Sequence, residues 1–156
     1  MTRATVVVLH VLSAVVGFGA IFLTGVYAGL ARRRPSGAVR RYFRSGPNWA
    51  ARGVYLVPVL GVVLVETSHG ADRFAQLWVV VSLLLWVLAA VLAQAVVWPG
   101  ERRIQQLVVG SPRTGTAARQ AELDRVGRRV ERAAVAIDLA FVATLVLMVA
   151  RPGSGG

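Results

Sequence analysis

The sequence has no cysteine and no lysine, and only seven acidic residues stand against its 18 arginines. Without cysteine there is no disulfide framework, no thiolate nucleophile and no cysteine-bound metal. The lack of lysine, with heavy use of Ala, Val, Arg and Gly, is the composition expected of a GC-rich bacterial genome. No phosphate-binding glycine loop, nucleophile triad or zinc-protease spacing occurs, so soluble enzyme chemistry has no support. Internal repeats are not evident.

What the chain has in abundance is apolar sequence. Hydrophobic residues make up 56% of it and mean hydropathy is +0.62, above the roughly 45–50% apolar content of soluble domains. These values indicate a membrane protein, and 156 residues leave room for one domain. The net charge of +11 does not point to nucleic acid. Its arginines cluster between apolar runs, where membrane topology accounts for them.

The longest uncharged run, Ala4 to Ala31, exceeds the roughly 20 residues that suffice to cross a bilayer as a helix. It is also longer than the roughly 7–15 residues of a signal-peptide core and leads straight into Arg32, Arg33 and Arg34, so it is read as retained. His10, Ser13, Ala14, Gly17, Ile21, Thr24, Gly25 and Ala28 share one helical face. Small residues let helices approach closely, so this face is expected to look inward.

Residues 32–48, with six arginines and no acid, read as a connecting loop. A second span over about 49–67 carries Arg52, Glu66 and Pro58, which should kink it. The third, over about 74–98, has Gln76 and Gln94 on a shared face, placed for interhelical hydrogen bonds. Residues 101–132 are charged, with eight arginines against four acids. Ser111 and Pro112 offer a helix start. From there Leu123, Val126, Val130, Ala134, Ile137, Phe141 and Leu145 form one stripe running into a fourth helix over about 116–150, with Asp124 and Arg128 placed to pair. The tail, 151–156, is expected to be disordered.

The predicted fold is therefore all-α, a bundle of four transmembrane helices. Arginine placement puts both termini outside and extends the fourth helix into the cytoplasm. Trp49 and Trp98 then mark the inner boundary and Trp78 the outer one. A multi-pass protein of the bacterial inner membrane follows.

The run LHVLSAVVGFG in the first helix, the arginine-rich first loop, the Pro- and Gly-containing second helix, and WVVVSLLLWVLAAVL followed by WPGERRIQQL together resemble a family. It is the bacterial integral membrane family known as domain of unknown function 2269, and the resemblance covers about Val6 to Pro152. More distantly the chain is similar to four-helix membrane proteins of the copper-resistance D type and to HemJ-like protoporphyrinogen oxidases. These also place a histidine in the first helix, a pattern that His10 matches. The distant resemblance implies copper or haem as a possible cofactor.

His10, Glu66 and Met148 are expected at one level of the bilayer. Imidazole, carboxylate and thioether together would suit copper or another transition ion, and His69 in the adjoining turn could join them. The same His10, with or without Met148, could serve a haem as axial ligand. The alternative is that His10 fastens two helices by a hydrogen bond. Asp138 lies inside the fourth span, where an unpaired carboxylate costs about 2.5–3.5 kcal/mol on insertion scales, so it needs a partner. Arg52 and Gln94 are expected at its level, with Arg52 to Asp138 as a buried ion pair.

Arg32, Arg33, Arg34, Arg40, Arg41 and Arg44 are topogenic and suit anionic lipid headgroups. Three readings of function follow. They are a noncatalytic accessory or self-associating bundle, with a homo-oligomer or another membrane protein as partner; a copper- or haem-handling protein; and proton-coupled transport through Asp138.

Overall fold

The computed structural model describes residues 2–33, 36–44, 46, 48–67, 76–109 and 117–150. Among these the chain is helical and contains no strand. Helix α1 (Arg3–Arg33) is followed by α2 (Gly37–Arg44). The second span consists of α3 (Trp49–Arg52), a 3₁₀ turn (Gly53–Tyr55) and α4 (Leu56–Glu66). The third comprises α5 (Leu77–Leu92), a π-helical turn (Ala93–Val97) and α6 (Trp98–Val109), and the fourth is α7 (Ala117–Ala150). Four helical stretches among the described residues are long and apolar enough to cross a membrane. The expected start at Ser111 and Pro112, the turn with His69, Arg34 and the tail at 151–156 lie outside the described residues.

Helix α1 is the hub. Ala14, Gly17, Ile21, Thr24, Gly25 and Ala28 of its small-residue stripe are buried, and His10 and Ser13 are half-buried. A Cβ on Gly17 would lie 2.6 Å from the Val54 backbone nitrogen. One on Gly25 would lie 2.5 Å from the Ala134 Cβ. A Cβ on Gly100 would overlap Val130, so the third and fourth spans close on each other in the same way. Phe18 stacks on Phe141 with centroids 4.3 Å apart. Since lipid tails are as apolar as leucine, such close approach, rather than hydrophobic burial, holds the spans together. Val8, Leu12, Val15, Leu84, Leu88, Leu139 and Val146 remain exposed, as side chains facing acyl chains do.

Part of the connecting loop expected at 32–48 is in fact a helix. Val39 and Phe43 of α2, one turn apart, are fully buried, while Arg40, Arg41 and Arg44 lie on its exposed side. Ser36 starts it, its hydroxyl accepting from the Val39 N–H at 3.4 Å. The chain turns out of α2 through Gly46, whose φ of +82° falls where side chains are disfavoured.

In the second span the irregularity lies just ahead of Pro58, as the 3₁₀ turn. Proline has no N–H, so the Val54 carbonyl lacks its usual donor four residues on. The Trp86 indole N–H from α5 supplies it at 3.0 Å. The third helix does not stop at Trp98. It widens through Ala93–Val97, where the Trp98 N–H reaches back to the Ala93 carbonyl, and continues to Val109. Its charged end meets that of α7 through Arg103 and Glu122 at 2.6 Å, and Asp124 pairs with Arg128 at 3.3 Å as the spacing implied. Arg32 bonds Glu131 at 2.7 Å and ties α1 to the same segment.

Candidate functional site

The polar residues concentrate at the arginine-rich end of the bundle, where α1, α2, α3 and α6 meet. Thr24 on α1 donates to the Ala20 carbonyl at 2.9 Å, and its oxygen lies 2.8 Å from the Tyr42 hydroxyl. Because the Thr24 proton is already committed, Tyr42 donates to Thr24. The Asn48 amide donates to Tyr42 at 3.2 Å, while its oxygen caps α3 by accepting from Ala51 N–H at 3.3 Å. Tyr42 stacks on Tyr27 with centroids 4.1 Å apart. Burial pushes the Tyr42 phenol above its ordinary value, against the opposing hydrogen bond from Asn48.

Beneath Asn48 lies Glu101, a buried carboxylate only 5% exposed. It accepts from the Asn48 backbone N–H and has Arg52 and Arg102 as its charged neighbours. Gln105, one turn further along α6, donates to the Gly46 carbonyl at 3.0 Å. The loop-borne helix, the second span and the third span are thus pinned together by polar contacts that water would otherwise compete for.

Arg52 does not pair with Asp138. Its guanidinium lies 4.4 Å from the Trp49 ring and 5.9 Å from the Trp98 ring, turned toward the third span. There Arg52, Tyr55, Gln94, Trp98, Pro99 and Arg102 line a cleft of about 290 Å³. Arg52 and Gln94 therefore do share a site, but without Asp138. That residue stands on α7 between Ala134, opposite Gly25, and Phe141, stacked on Phe18. It is half-buried at the seam of α1 and α7, with no hydrogen bond or ion pair among the described residues. Gln76 sits at the start of α5 and accepts from the Trp78 indole at 2.7 Å, a contact within its own span.

At the opposite end His10 packs against α4, with Gly61 leaving the room. A Cβ at Gly61 would meet the His10 Cε1 at 3.4 Å. The Val57 backbone faces the ring, and its Nδ1 is buried without a well-formed hydrogen bond. Glu66 is exposed at the end of α4, beyond Gly61. Met148 is half-buried near the end of α7, two turns past Phe141. Among the described residues no three His, Asp or Glu side chains gather as metal ligands. The His10 imidazole thus lies between α1 and α4.

Reasoning from the sequence missed Thr24, Tyr42, Asn48 and Glu101 as one cluster. Two signals pointed to it: Val39 and Phe43 at helical spacing within the arginine loop, and an Asn one residue before a helix start.

These features define a multi-pass integral membrane protein, a four-span helical bundle with small-residue packing within and polar fastening at one end. The chain belongs to the family described as "Predicted integral membrane protein (DUF2269)", which it matches over residues 4–152. No curated protein and no solved structure matches it.

Proposed function

We propose that this chain is a noncatalytic, self-associating membrane bundle whose copies meet at Asp138. The observation that carries this reading is the unpartnered, half-buried carboxylate about one third of the way along the apolar part of the fourth span, 133–150. Hydrocarbon offers it no hydrogen-bond donor, and an unpaired acid costs up to about 2.5–3.5 kcal/mol, the figure for the centre of a span on insertion scales. A second copy related by a two-fold axis would bring a second Asp138, and two carboxyl groups sharing protons satisfy each other. Placing the arginine-rich end in the cytoplasm of a bacterium follows the positive-inside rule, with both termini outside. Arg33, Arg40 and Arg44, exposed at that end, would then face anionic headgroups, whereas Arg32 is engaged by Glu131.

The test is subunit counting by single-molecule photobleaching in lipid bilayers across a range of protein dilution. Wild type should dimerise, and Asp138→Asn should retain dimers through paired amides. Asp138→Leu should weaken association at least tenfold. Equal association of wild type and Asp138→Leu would sink the reading.

A second reading rests on the His10 Nδ1, which is buried and without a good partner. Under the leading reading, protein purified in mild detergent from cells supplied with haem precursor and copper is colourless and metal-free by elemental analysis. A Soret band or stoichiometric copper that vanishes in His10→Ala would install the copper- or haem-handling reading in its place.

A further inference from the structure

Two residues that line the cleft on the third span carry hydrogen-bond donors without an acceptor. Tyr55 Oη and Trp98 Nε1 are both buried and without a partner. Both residues line the cleft, together with Arg52, Arg102 and Gln94. An unmet buried donor costs about 1–3 kcal/mol, and two such donors belong to residues that line this one cleft. The Arg52 guanidinium carbon lies over the Trp49 and Trp98 rings, with no side-chain hydrogen bond to another described residue. A cation–π contact of that kind engages the positive charge through the ring and does not use up the guanidinium N–H donors.

Charge narrows the choice of ligand. Two arginines less the neighbouring Glu101 carboxylate leave one net positive charge at the cleft. This matches a phosphodiester, which carries a single negative charge and offers several acceptor oxygens, better than a dianion. The position matches too, since the cleft lies beside Trp49, which is 70% exposed at the end of the second span where an aromatic belt belongs.

We infer that the cleft formed by Arg52, Tyr55, Gln94, Trp98 and Arg102 is a binding site for one phosphate-bearing monoanion. Arg52 and Arg102 supply charge, and the Trp98 N–H and Tyr55 O–H supply orientation. Gln94 offers an amide to a hydroxyl on the ligand. The phosphate can belong to a phospholipid headgroup or to a free phosphodiester, and both present the same oxygens to these donors.

The experiment is native mass spectrometry of the delipidated full chain, titrated in separate arms with phosphatidylglycerol, phosphatidylcholine and the free phosphodiester glycerophosphoglycerol. One ligand per chain should bind, with phosphatidylglycerol at least tenfold tighter than phosphatidylcholine if the source is a lipid. Glycerophosphoglycerol should bind as well as the lipid if the source is a free diester. In either case Arg102→Gln should weaken binding about tenfold, and Tyr55→Phe with Trp98→Phe, which removes two donors and keeps both rings, should do the same. Circular dichroism melting of each variant separates lost binding from lost fold. The control Arg40→Gln with Arg44→Gln removes exposed charge from α2 and should leave binding unchanged. The inference is overturned if folded Arg102→Gln and Tyr55→Phe/Trp98→Phe variants bind as wild type does, or if the α2 variant loses as much.

Discussion

Gly17→Ala is expected to destabilise the bundle by about 1–3 kcal/mol, and Gly17→Leu to prevent its assembly. A new Cβ would stand 2.6 Å from the Val54 nitrogen and 3.0 Å from its Cα, and both are backbone atoms. A flexible side chain could swing away, but the 3₁₀ turn cannot, because the Asn48 cap, the Trp86 bond to Val54 and the packing of Tyr55 against Trp86 and Trp98 all fix it. Gly19 supplies the control, since nothing lies within 4 Å of a Cβ built there. Gly19→Ala should leave the midpoint of thermal unfolding in detergent unchanged or raise it. Equal melting of Gly17→Ala and Gly19→Ala would show that the first two spans do not meet at this glycine.

The second large effect concerns the carbonyl that Pro58 leaves without a donor. Trp86→Phe keeps an aromatic ring beside Tyr55 but removes the N–H that Val54 receives at 3.0 Å. The orphaned carbonyl should cost about 1–3 kcal/mol, toward the upper end because no water reaches it within a membrane. Pro58→Ala restores a backbone N–H four residues after Val54 and lets the helix satisfy itself. The double variant Trp86→Phe/Pro58→Ala should therefore recover most of the stability lost in Trp86→Phe alone. A double-mutant cycle on urea or thermal unfolding reads the coupling directly. Additive losses in the double variant would mean that Trp86 contributes by packing alone.

The spans themselves were legible in the residues because hydropathy over 20 positions is a strong and redundant signal. The inward face of α1 was legible for the same reason, as small residues recur there at helical spacing. Residues that depend on tertiary context were not. Glu101 reads as the first charge of a polar connector, yet it is buried because α6 continues the third helix and α2 and Asn48 close over it. Arg52 and Asp138 carry opposite charge and looked like natural partners. Charge alone does not say which way a side chain turns around its helix, and Arg52 lies over two tryptophans with Glu101 as its charged neighbour. The α2 helix was obscured by its arginines, which mark topology strongly enough to hide the two apolar residues beneath them.

The wide turn at Ala93–Val97 has a consequence for how this site came to face inward. Ala89, Ala93, Val97 and Glu101 are all buried, although they follow one another at intervals of four. In a regular helix each such interval overshoots a full turn by about 40°, so three of them would carry the last residue roughly a third of the way round the cylinder. The π-helical turn absorbs much of that drift. It works as a phase corrector, keeping the charged end of the helix in step with its membrane-embedded half. Losing one residue there would rotate everything beyond it by about 100° and deliver Glu101 to a different side of the helix with no change in its chemistry.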